Sequence, residues 1–104
     1  MTLAYIQALI VSVDENAGHY ESEHRDGEPF TVWRETGPLN DMGDNAHMGG
    51  IAFTVDRFSK TENDEIAAAL FAALDQNDLI AVAKKIFYDP DSGYIHHTFE
   101  CEGA

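Results

Sequence analysis

Cysteine, proline and basic residues are all scarce in this chain: one Cys, three Pro and six Lys plus Arg among 104 residues. A lone Cys101 has no partner for an internal disulfide and no second cysteine at metal-binding spacing, which argues against an oxidising compartment. No apolar run approaches the roughly 20 residues that span a bilayer. Nor does a basic stretch followed by an apolar run and a cleavage site open the chain. The expectation is a soluble, unprocessed protein made in the cytoplasm of its host cell, with no membrane partner.

The shortage of cations matters most. Nineteen acids against six basic residues leave a net charge of −13, more than solubility alone requires. A field of that sign repels nucleic acid and anionic membranes. Three readings stay open: a highly soluble or halophilic surface, an imitation of DNA that occupies a basic groove, or the wall of a channel through which DNA passes without sticking.

What is present suits a globular domain. Hydrophobic residues make up 44% and aromatic residues 11%, too much for a disordered tail. The length fits one domain, residues 1–104, with one modest core. Residues 2–13 predict a helix: Thr2 can cap it, and Leu3, Ile6, Ile10 and Val13 recur at three- and four-residue spacing. Asn16 or Gly18 suits the left-handed turn that ends helices. Residues 19–28 are dense in charge and predict a solvated loop.

Phe30, Thr31, Val32 and Trp33 begin a strand over 30–35. A long glycine-rich stretch, 36–50, follows, a length that in compact domains accompanies function or mobility. Residues 51–58 alternate cleanly, with Ile51, Phe53 and Val55 on one face. A helix over 62–76 is expected, capped by Thr61 with Asp64 three residues later. It would pack through Ile66, Leu70, Ala73 and Leu74. Strands over 80–88 and 94–102 flank the turn Asp89-Pro90-Asp91-Ser92-Gly93. The expected fold is α+β, in the order α-β-β-α-β-β with long loops. A small, mainly antiparallel sheet packs against two helices on one face.

Catalytic and metal chemistry find little support. His96 and His97 are neighbours in a strand and point to opposite faces, so they cannot share an ion. His19, His24 and His47 fall in polar loops without helical metal-ligand spacing. Asp89, Asp91, Gly93 and Glu100 imitate a calcium loop, but Tyr94 stands where the sharp turn needs glycine. Cys101 lies between Glu100 and Glu102, which would raise a thiol's pKa rather than activate it. No serine has a nucleophile-elbow frame, and the Gly37, Gly43, Gly49 and Gly50 loop lacks a phosphate-binding lysine. The chain therefore reads as a non-enzyme without cofactor or metal. Function is expected in the two long acidic loops, where Leu39, Met42 and Met48 are candidates for partner contact.

The element order and local patterns resemble the tail-terminator (tail-completion, neck or minor capsid-like) proteins of long-tailed bacteriophages. The resemblance runs from the helix with Ile6, Leu9 and Ile10 through Pro29-Phe30-Thr31-Val32-Trp33 to residues 50–60. It continues over Asp64-Glu65 with Ile66 and Leu70, and ends on the hairpin from Val82 through Asp89-Pro90-Asp91 to residues 99–103. The long 37–50 loop departs from it.

The resemblance implies a virion protein forming a hexameric ring that caps the tail tube and meets the head-completion or connector protein. DNA would pass through its centre without specific binding. Six copies would carry a formal −78, six times the −13 of one chain, in keeping with an acidic lumen. Candidate lumen acids are Glu21, Glu23, Asp26, Asp41 and Asp44 in the loops, and Glu62, Asp64 and Glu65 at the helix start. The alternative is an acidic DNA-mimic inhibitor of a host defence or DNA-binding protein.

Overall fold

The computed structural model describes residues 1–38 and 50–104. Two helices, α1 (Leu3–Val11) and α2 (Glu65–Asp75), accompany strands β1 (Gly18–His19), β2 (Phe30–Pro38), β3 (Ile51–Ser59), β4 (Ile80–Tyr88) and β5 (Ile95–Gly103). The strands form one sheet in the order β1-β2-β3-β5-β4. The four long strands pair antiparallel, whereas β1 runs parallel to β2. The α+β class holds, and the sheet is five-stranded and mixed rather than four-stranded.

Burial follows the period of two. Across the sheet, Trp33, Val55, Phe99 and Lys84 stand in one row, and Phe53, Cys101 and Val82 in another. The helices cover this face: Ile6 and Ile10 of α1 and Ala67, Leu70 and Leu74 of α2 join Trp33, Phe53, Val55, Phe99 and Cys101 in one core. Trp33 donates its indole N–H to Gln7 Oε1 at 2.7 Å, which satisfies its one polar group inside the core.

Several local expectations change. Thr2 caps α1, accepting from the Tyr5 amide at 3.1 Å, but the helix stops at Val11 with Ser12 as its right-handed cap. Gly18 takes no part in a helix-ending turn; it belongs to β1 and pairs with Val32. A β-carbon there would overlap the Glu21 carbonyl oxygen, so only glycine admits this reversal of the chain. The second helix begins three residues later than the sequence suggests. Asp64, not Thr61, is its cap and accepts from the Ala67 amide at 3.0 Å, while Thr61 donates its amide to Ser59 Oγ. Gly93 (φ +77°) closes the β4–β5 turn, its amide bonded to the Asp89 carbonyl.

Candidate assembly surfaces

Polar groups of the core face converge on Arg57, the position after Phe53 and Val55 in the same alternation. It is 5% exposed. Its guanidinium donates to Asp64 Oδ2 at 2.8 Å and Oδ1 at 3.3 Å, to Thr31 Oγ1 at 3.2 Å and to Asp14 Oδ2 at 3.4 Å. Arg57 thus fastens the segment after α1 and the start of α2 to the sheet. Burial raises the Asp64 pKa, but bonds from Arg57 and the Ala67 amide outweigh it and hold the carboxyl below 3.8. Asp64 is therefore spent internally and differs from the other candidate lumen acids. His97, in register with Arg57, is held below 6.5, chiefly by burial and against the pull of Asp64.

The remaining candidates are scattered. Glu21, Glu23, Asp26, Glu62 and Glu65 are all exposed. Glu21 and Glu23 join Asp14, Glu28 and His24 around a cleft of about 1030 Å³ beside the β1–β2 edge. Glu62 lines a separate groove of about 580 Å³ between α2 and the β4–β5 hairpin, with Phe71, Lys84, Ile86 and His97. Asp41, Asp44, Leu39, Met42, Met48 and His47 lie outside the described residues.

The acidic segment 14–28 is held by specific contacts rather than trailing in solvent. Tyr20 donates its amide to the Trp33 carbonyl. The Tyr94 hydroxyl accepts from the Gly27 amide at 3.0 Å and donates to the Glu28 carbonyl at 2.9 Å. His24 stacks on Phe30 at 3.7 Å, the start of an aromatic column on the face away from the helices. Phe30 stacks on Phe58 at 4.5 Å and Phe58 on His96 at 4.1 Å. His96 also bonds Asp56 Oδ1 at 2.9 Å. Its register partner on β4 is Phe87.

At the opposite edge, β4 has a paired side toward β5 and, among the described residues, no strand on its outer side. Ile86, Phe87 and Tyr88 are 64%, 59% and 58% exposed. Lys84 lies over the Phe71 ring at 4.5 Å, and Lys85 makes an exposed ion pair with Glu100 at 3.0 Å. Strand propensity identifies this segment but does not show that its outer edge and, from Ala83 on, both its faces meet solvent.

The groups weighed for chemistry are engaged elsewhere. His19 bonds Glu35 Oε1 at 3.1 Å and stacks on Trp33. The Asp89 carboxylate accepts from the Asp91 amide and the Ser92 hydroxyl within its own turn. Burial pushes the Cys101 thiol up to about 12. The flanking Glu100 and Glu102 alternate to the other face, so burial and not their charge sets that shift. Among the described residues, no group of three or more His, Cys, Asp or Glu side chains is placed to hold a metal, and no helix is long and apolar enough to cross a membrane. Comparison with known protein families and with curated proteins gives no match.

Proposed function

We propose that this chain is a structural, non-catalytic ring component of the tail-terminator type, which caps a phage tail tube and joins it to the head connector around the exiting DNA. One observation carries the assembly part of this reading: a nine-residue edge strand, β4, that leaves Ile86, Phe87 and Tyr88 in solvent. Natural sheets blunt, cover or pair such edges, because an open backbone row beside apolar side chains recruits another chain. On a protein this strongly acidic, an edge that shows Ile86, Phe87 and Tyr88 beside Lys84 and Lys85 is best understood as one that is covered in the assembled state. The tail-terminator identity draws on the resemblance set out above, and the net charge of −13 suits a wall that DNA does not wet.

The DNA-mimic alternative draws less support. A mimic needs carboxylates left free in an array, whereas Asp14, Glu35, Asp56, Asp64 and Glu100 are engaged with Arg57, His19, His96, Arg57 and Lys85. Imaging of the purified protein and of virions tests the proposal. The expected result is a six-fold ring at the tail–neck junction. A single copy there, a symmetry other than six or three, or salt-sensitive capture of a basic protein by a monomer overturns it.

A further inference from the structure

We infer that copies of this chain join head to tail, the β4 edge of one seated against the acidic 14–28 edge of the next. This deepens the ring reading and rests on its premise that the chain self-associates. The two edges lie at opposite ends of the same sheet and differ in charge. Residues 79–88 contain Lys84 and Lys85 and no acid, whereas residues 14–28 contain Asp14, Glu15, Glu21, Glu23, Asp26 and Glu28 against Arg25 alone. A strand edge whose charged residues are Lys84 and Lys85, the latter in an exposed pair with Glu100, is matched by the acidic edge of a second copy.

The aromatic column gives an independent match. It crosses the open face from exposed His24 at one edge to His96, and its next register position is exposed Phe87 at the other edge. Both ends lack a cover among the described residues. Adjacent strands stand about 4.8 Å apart, close to the 3.7–4.5 Å steps of the stack. A neighbouring copy set beside the sheet therefore brings Phe87 toward His24 with the same periodicity.

Symmetric β4-to-β4 pairing has the opposite electrostatics. It draws four lysines into one interface, and like charges on paired strands repel. A contact between two different edges of one molecule is heterologous, and such contacts either close into rings or continue as filaments.

Charge-swapped variants test the arrangement. Variant one carries Lys84→Glu and Lys85→Glu; variant two carries Glu21→Lys and Glu23→Lys. All four side chains are exposed, and circular dichroism with thermal melting confirms that each variant is folded. Sedimentation velocity is run at 0.15 M salt, where a screening length of about 8 Å preserves contacts but mutes distant repulsion. Each variant alone should self-associate roughly 10–100-fold more weakly than the wild type. An equimolar mixture should associate more strongly than either variant alone, because the unaltered β4 edge of variant two then meets the unaltered acidic edge of variant one, while the reversed β4 edge meets a 14–28 segment brought from −5 to −1.

Assembly of variant two alone with variant one impaired would indicate symmetric β4 pairing and overturn the inference. Assembly of both variants alone at wild-type strength would also overturn it, while leaving a ring built on other surfaces. A wild type that stays monomeric in solution and in particles would overturn the ring reading as well. Should either double variant misfold, Phe87→Ala and His24→Ala provide the second measurement. Both should weaken assembly, and unchanged assembly in both removes the stacking argument.

Discussion

Replacing Arg57 by methionine keeps much of its volume and removes the positive charge. Asp64 and Asp14, whose side chains are each 11% exposed, both then lose the cation they share. Removing one partner of a buried ion pair costs about 3–5 kcal/mol; because the two carboxylates retain some water, the lower end is expected here. At about 4–8 °C per kcal/mol for a domain of this class, the midpoint should fall by roughly 12–24 °C. Urea denaturation followed by circular dichroism measures the change, provided fluorescence reports the same transition.

Asp64→Asn in the Arg57→Met background should recover at least about 1.5 kcal/mol, since asparagine still caps α2 without stranding a charge. The acid limb should change as well. A carboxyl held below its ordinary value stabilises the fold above pH 3.8 and loses that contribution as pH falls through its folded-state pKa. Arg57→Met should flatten this part of the stability profile. A loss under about 1 kcal/mol, the scale of an exposed pair, would refute the view that Arg57 holds a buried charge cluster.

Two further outcomes are expected. His97 has its folded-state pKa below 6.5, so its contribution is complete above 6.5 and is lost as pH falls through the folded value; His97→Gln should reduce the stability difference between pH 7.5 and 5, measured by thermal melting. Cys101, buried with its thiol near 12, should resist iodoacetamide at pH 8 in the native state and react fully in urea, as mass spectrometry would show; rapid labelling of the folded protein would contradict its placement.

The elements that local patterning specifies were legible in the sequence. Alternation at Phe53 and Val55 defined β3, three- and four-residue spacing defined both helices, and the Asp-Pro-Asp-Ser-Gly turn defined the last hairpin. Other features depend on distant partners. A two-residue strand such as Gly18–His19 has no periodicity, and exists because β2 lies beside it. Thr61 and Asp64 are both good caps; Arg57, arriving from the sheet, is an additional partner only for Asp64.

For the candidate site, the acidic loop 19–28 was legible as charge but not as a fastened edge, because Tyr94 and Phe30 hold it from elsewhere in the chain. The exposed β4 edge is not legible in the sequence, because strand propensity does not report which strand ends a sheet. Likewise, Arg57 was readable as a core-facing position by its spacing from Val55, yet its two carboxylate partners lie 43 residues upstream and 7 downstream.

The place of β5 in the sheet bears on how the protein is made. Although β5 follows β4 in the chain, it lies between β3 and β4, so neither has its inner neighbour until residues 95–103 leave the ribosome. The stretch from Ser59 to Gly103 takes roughly 2–9 s to synthesise at about 5–20 residues per second. During that interval the β2–β3 hairpin can form, but β3 still exposes one bare edge and β4 two. Nascent chains growing side by side on one message are then at their most adhesive, and the acids already translated keep them apart by mutual repulsion.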